Sequence, residues 1–187
     1  KVPVKKNILG KIALDCSPNI YQLFISPSEK VFNEQNFDTN LLQARKFIEE
    51  IFFDDEILYF CSFSSKTIVY KGLMLPNAIK EFYLDLQHKD LTASSCVFHQ
   101  RFSTNTSPRW HLAQPFRMLA HNGEINAIQG NRNWVKARSS KFITPLIPKI
   151  QKFKQLVNDS GSDSSSLDNM IELLIKGGVN IFRAIRM

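Results

Sequence analysis

Apolar residues along this chain recur with two different periods, and the switches between them mark out its elements. From Phe37 to Phe53 the positions Leu41, Leu42, Phe47, Ile48 and Ile51 fall on one face at helical spacing, with Asp38 or Thr39 placed to cap the start. β-branched and aromatic runs predict strands at Ile20 to Ile25, Ser95 to Phe102 and Phe116 to Ala120. Ile57 to Phe63 and Thr67 to Lys71, joined by Ser64-Ser65-Lys66, predict a hairpin. Leu75 to Leu86 reads as a short helix or turn, and Asn131 to Arg138 as a helix. Ser164 to Lys176 reads as an amphipathic helix stopped by Gly177-Gly178. The first 20 residues read as a connector, and Ser139 to Asp159, with Pro145 and Pro148, as a lysine-rich loop. Strands and helices mix without regular βαβ spacing, so the expected class is α+β rather than a parallel doubly wound sheet.

Composition narrows the picture only a little. The 187 residues are 43% hydrophobic and 22% charged, which fits a globular domain and excludes wholesale disorder. No apolar run approaches the roughly 20 residues needed to cross a bilayer, and the start does not resemble a secretory signal, so no membrane partner is expected. The net charge of +7 raises nucleic acid as a partner, but the basic residues are scattered. Their densest group (Lys141, Lys149, Lys152, Lys154) reads as a solvated face. Cys16, Cys61 and Cys96 are too far apart for a C-x-x-C pair and suggest neither zinc nor a disulfide framework. The bias toward Asn, Lys, Ile and Phe is that of AT-rich coding DNA. The chain opens on Lys1 rather than Met, so processing or truncation is expected.

Three polar clusters follow predicted strands. His99-Gln100-Arg101-Phe102-Ser103-Thr104-Asn105-Thr106 places an arginine fork where it could grip a carboxylate, or hold a structural ion pair. His121-Asn122-Gly123-Glu124-Ile125-Asn126 sets a side-chain amide beside a glycine N–H, the donor pair an oxyanion hole requires. Taken alone, Asn-Gly is more often a turn, and a lone histidine beside it more often structural. Gly161-Ser162-Asp163-Ser164-Ser165-Ser166 reads as a helix cap, or as a site where Asp163 holds an ammonium group. Together the three would suit a free α-amino acid with an electrophilic side chain. A nucleophile is missing from the set.

These clusters, with Leu112 to Asn126 (LAQPFRMLAHNGEIN), Gly130-Asn131-Arg132-Asn133-Trp134 and Ser162-Asp163-Ser164, resemble the class II glutamine amidotransferase domain of the glutamate synthases. The likeness runs over the second half of the chain and is weaker at Val2-Pro3-Val4 and Thr67 to Gly72. It implies an N-terminal-nucleophile hydrolase fold, a four-layer αββα sandwich, with all 187 residues inside one such domain. It also implies an N-terminal cysteine whose thiol attacks the amide of L-glutamine. By position, Arg101 would bind the substrate α-carboxylate with Thr104 nearby, Asn122 and Gly123 would form the oxyanion hole, and Asp163 would hold the α-ammonium group.

For a full-length enzyme the resemblance implies FMN, a 3Fe-4S cluster, 2-oxoglutarate and an electron donor, with no cofactor expected within these residues. Reduced ferredoxin in a plastid is favoured by the residue bias; NADPH in a bacterial cytoplasm is the alternative. The departure from the pattern is residue 1, a lysine, so the nucleophile is expected outside this stretch. Cleavage after Asp15 would expose Cys16, but Ser17-Pro18 follows it instead of the family's glycine. A non-catalytic glutamine-binding module is the competing reading.

Overall fold

Backbone hydrogen bonds decide which of these elements form. The computed structural model describes residues 1–27, 33–52, 58–101 and 107–187. Helices satisfy their backbone groups locally, and they dominate: α1 (Lys11–Asp15), α2 (Glu34–Ile51), α3 (Ile79–Phe82), α4 (Ile128–Arg138), α5 (Asp163–Lys176) and α6 (Ile181–Arg186). None of the described helices is long and apolar enough to cross a membrane.

The strand expectations are corrected. Among the described residues no ladder forms, and the isolated antiparallel bridge Val4–Tyr83 is the β pairing present. β-propensity measures how well a side chain packs in a half-buried sheet, and a run without a covering partner does not realise it. Leu23 and Phe24 are 75% and 85% exposed, and Val97 and Phe98 62% and 75%, so the runs at 20–25 and 95–101 lack that cover. In the expected hairpin, whose first residue Ile57 lies outside the described residues, the chain bends at Ser65 and Lys66 without a ladder. Val69 N–H donates to Ser62 Oγ (3.3 Å), and Ser65 is pinned through its N–H and hydroxyl to Asp38 Oδ1 (2.9 Å each).

Two cores organise the chain. The aliphatic one joins Leu42 of α2, Leu173 of α5 and Ile147, Ile150, Leu156 and Val157 from the segment between α4 and α5. That segment, expected as a lysine-rich loop, is therefore structural. Its lysines face solvent as expected, while Ile147 is fully buried. The second core is aromatic: Phe82, Tyr83 and Trp110 with Val2. Val2 N–H bonds Ile20 O (2.9 Å) and Trp110 Nε1 donates to Ala13 O (3.2 Å), so the first 20 residues are a packed element rather than a connector.

Helix α2 starts a turn before the expected cap, which puts Asp38 and Thr39 inside it. Its buried face keeps the predicted Leu41 and Leu42 (8% and 2% exposed) but not the rest of the predicted stripe. Asp38, Leu42, Arg45 and Lys46 point inward, while Phe47 and Ile51 are 63% and 60% exposed. Helix α5 matches expectation. Ser162 caps it by accepting from Ser165 N–H, and Gly178, at φ +94°, ends it in the left-handed region that glycine adopts without strain.

Candidate functional site

The segment Phe116–Asn126 carries the expected oxyanion pair, and it is fastened by side chains instead of a sheet. Met118 N–H and Leu119 N–H both donate to Asp168 Oδ1, at 2.7 and 3.3 Å. His121 N–H donates to Gln114 Oε1 (2.7 Å), while Gln114 Nε2 donates back to His121 O (2.8 Å). Ile125 N–H donates to Asp163 Oδ2 (2.7 Å). His121 Nδ1 also lies 3.0 Å from Ser164 Oγ. The clusters at 121–126 and 161–166, separate in sequence, are thereby one locality. Asn122 and Gly123 are exposed between these ties. A Cβ at Gly123 would stand 3.0 Å from His121 Nε2, so a larger residue there would press on that ring.

Asp163 stands at the first position of α5, with Ser162 as the cap. Its Oδ1 accepts from Ser164 N–H and the Ser164 hydroxyl (2.6 and 3.2 Å), and its Oδ2 from Ile125 N–H. An ionised carboxylate offers about four acceptor positions, so these three bonds orient the group and leave room for one more donor. Arg132 of α4 fixes the same corner. Its Nε donates to Ser166 Oγ (3.0 Å) and its Nη2 to Gly161 O (2.8 Å).

Arg101 is exposed, and its stem does not emerge from a buried strand as expected. It lines a cavity of about 50 Å³ with Lys71, His99, Ala113 and Gln114. Through Gln114 that cavity adjoins His121, so the arginine borders the locality; the ties above do not include it. Thr104 falls outside the described residues.

Behind the site lies a buried ionic network that the sequence reading did not identify. Arg45 Nη2 bonds Glu172 Oε2 (2.5 Å), and Arg45 Nη1 bonds Glu49 Oε1 (2.8 Å). Arg117 Nη2 reaches Glu49 Oε1 (3.3 Å), and its Nη1 lies 3.8 Å from Asp168 Oδ2. Burial pushes the Asp168 carboxyl up, against the backbone N–H of Met118 and the charge of Arg117. Burial also raises Glu49, but Arg45, Lys46 and Arg117 outweigh it and hold its carboxyl below the usual range. Burial lowers the Arg117 guanidinium, yet Tyr59, Glu172, Glu49 and Asp168 reverse that and keep it protonated. A signal was available: Asp168 and Glu172 lie on the same α5 face as Ile171, where carboxylates are out of place unless paired.

Among the described residues no three His, Cys, Asp or Glu side chains converge on a possible metal position. The described residues present no ligand set that fits an iron–sulfur cluster. Cys16 is exposed, and its thiol donates to Ile12 O (3.1 Å) at the end of α1. Burial pushes the Cys61 thiol up, against Lys71 and Arg117.

The family described as glutamine amidotransferases class-II matches residues 1–187. The chain is 42% identical over 183 residues to a ferredoxin-dependent glutamate synthase of Cyanidium caldarium, covering 95% of this chain and 12% of that protein. It is 42% identical over 182 residues to a chloroplastic ferredoxin-dependent glutamate synthase of Oryza sativa subsp. japonica, covering 95% and 11%. Against the glutamate synthase [NADPH] large chain of Azospirillum brasilense it is 39% identical over 181 residues, covering 95% and 12%. The chain therefore spans about an eighth or less of the length of these curated relatives.

Proposed function

We propose, since this chain belongs to the class II glutamine amidotransferase family, that it supplies the glutamine-binding part of a glutaminase site in a glutamate synthase. The observation that carries the reading is the set of ties joining residues 121–125 to the start of α5, which bring Asp163 to the Asn122–Gly123 pair. Asp163 takes the substrate ammonium at its remaining acceptor position, and Arg101, with Thr104, takes the α-carboxylate. The Asn122 amide and Gly123 N–H receive the oxyanion that forms when a thiolate adds to the side-chain amide. Ammonia leaves, and water then releases glutamate from the thioester. The attack is assigned, as the resemblance to the family implies, to the thiol of an N-terminal cysteine, a position held by Lys1 in this sequence. The domain is read as the αββα sandwich of N-terminal-nucleophile hydrolases.

In the complete enzyme the ammonia would aminate 2-oxoglutarate at parts of the protein that carry FMN and a 3Fe-4S cluster. We assign the ferredoxin-dependent plastid form on the residue bias and the relatives of that name. The NADPH form is the second reading, supported by the Azospirillum relative at 39% identity.

The test is Asp163→Asn in the complete protein. Asparagine keeps an acceptor for Ile125 N–H and removes the charge that pairs with the ammonium. Loss of such a partner costs on the order of 2–5 kcal/mol, so glutaminase efficiency falls steeply while glutamate formation from added ammonia is spared. If both activities fall together, Asp163 is a structural residue and the reading fails.

A further inference from the structure

We infer that Gln114 is a positioning residue for the oxyanion pair, an assignment that rests on the glutaminase reading above. Its side-chain amide meets both backbone groups of His121, accepting from the N–H at 2.7 Å and donating to the carbonyl at 2.8 Å. This is the pairing a neighbouring strand would provide, and among the described residues no strand lies here to provide it. His121 directly precedes Asn122, so the two hydrogen bonds hold the peptide planes on both sides of His121, the second of which carries the Asn122 N–H and leads into the Asn122–Gly123 peptide. Asp168 holds the segment two and three residues earlier and Asp163 holds it two residues after Gly123. Those contacts place the segment, while Gln114 holds both backbone groups of the residue adjoining the donors, whose ring also meets Ser164 Oγ (3.0 Å).

Gln114 also lines the cavity that Arg101 borders. It therefore stands between the group assigned to the substrate carboxylate and the groups assigned to the oxyanion. Both of its polar ends meet His121, so its effect on the reaction is assigned to run through His121. Neighbouring Ala113 is 3% exposed, so the backbone that presents Gln114 is anchored.

A donor that must meet developing charge is sensitive to placement. Losing one costs about 100- to 1,000-fold in kcat, and misplacement by about 1 Å can cost 100-fold. Gln114→Leu removes both bonds. Gln114→Glu keeps size and acceptor but sets a carboxylate against the His121 carbonyl, and so retains a folded comparison if leucine is not tolerated.

The measurement is glutamine hydrolysis by the complete protein, with active sites counted by a diazoketone analogue of glutamine that alkylates the thiol. The expected result is a fall of about 10- to 100-fold in kcat per labelled site, with the Michaelis constant for glutamine changed less than about threefold. Fewer labelled sites with unchanged kcat per site would make Gln114 merely structural and overturn the assignment. A raised Michaelis constant with unchanged kcat would place it on the substrate and overturn it equally. Absence of glutamine hydrolysis by the unsubstituted protein would instead remove the functional reading beneath it.

Discussion

The two cores differ in how many polar atoms they bury unpaired. In the aromatic core each ring's polar handle meets one partner, and among the described residues only Asp85 Oδ1, on the carboxylate that accepts from Tyr70, is buried without one. Tyr83 donates to Lys71 O (2.7 Å), Tyr70 to Asp85 Oδ2 (2.7 Å) and Trp110 to Ala13 O (3.2 Å). The rings pack edge-on or tilted, with Phe82 centred 4.8 Å from Tyr83 and 5.7 Å from Trp110. The aliphatic core instead backs onto Arg45, Lys46, Glu49, Arg117, Asp168 and Glu172, and there Arg45 Nε, Arg117 Nε and Asp168 Oδ2 are buried without a hydrogen-bond partner among the described residues. Apolar contact alone would hold α2 against α5. The charges add direction, because each has few places where its energy is acceptable. The segment bearing Asn122 and Gly123 hangs from the aliphatic core through Asp168, so geometry at the candidate site is tied to the costlier design.

Breaking one ion pair should expose that cost most strongly. Arg45 is 1% exposed, and Arg45→Met leaves Glu172 buried with its main partner gone. Destabilisation of about 3–5 kcal/mol is expected by urea denaturation. Arg45→Met combined with Glu172→Met should recover much of that loss, since well-packed apolar pairs commonly match buried ion pairs. If the double variant is as unstable as the single one, the network contributes more than charge compensation and the contrast between the cores is misdrawn.

Lys46 sharpens the same contrast through pH. Burial lowers its ammonium from 10.5 to about 8, with Glu49 opposing, while its Nζ donates to Leu156 O (3.2 Å). Between those values the unfolded chain holds the proton and the folded one does not, so this group's contribution to stability rises with pH across that window. Below pH 8 the full penalty, on the order of 3 kcal/mol, is present. The difference in denaturation midpoint between the parent and Lys46→Met should therefore shift in the parent's favour from pH 8 to pH 10.5. A difference independent of pH would mean that Lys46 stays charged in the fold.

What the sequence disclosed follows the range of the forces involved. Helix α5, its serine cap and its glycine stop depend on neighbours within a few residues and were legible. So were the motifs of the amidotransferase family, because spacing along the chain carries them. The inward face of α2 was legible only at Leu41 and Leu42. The apolar pattern chose Phe47 and Ile51, whereas pairing with Glu172 and with the carbonyls at 155 and 156 draws Arg45 and Lys46 inward. The strands failed for a related reason: their partners are long-range, and Asp168 and Gln114 take the place of a ladder beside residues 118–121.

Arg101 provides the smallest stability effect and the clearest opposite to Arg45. It is exposed, its backbone N–H donates to His99 Nδ1 (3.2 Å), and its side chain borders the small cavity beside Gln114. Nothing in that setting makes the fold depend on a guanidinium, so Arg101→Lys should change stability by less than about 0.5 kcal/mol. Lysine keeps the charge but cannot direct two parallel hydrogen bonds at one carboxylate. If Arg101 clamps the glutamine α-carboxylate, the Michaelis constant should rise by about tenfold, or about 1.4 kcal/mol, with the melting temperature nearly unchanged. An ordinary surface ion pair contributes only about 0–1 kcal/mol and predicts little change in either quantity. Glutaminase kinetics and thermal denaturation on the same preparation separate the cases. A large loss of stability with unaltered glutamine affinity would place Arg101 with Arg45, as an arginine that holds the fold instead of the substrate.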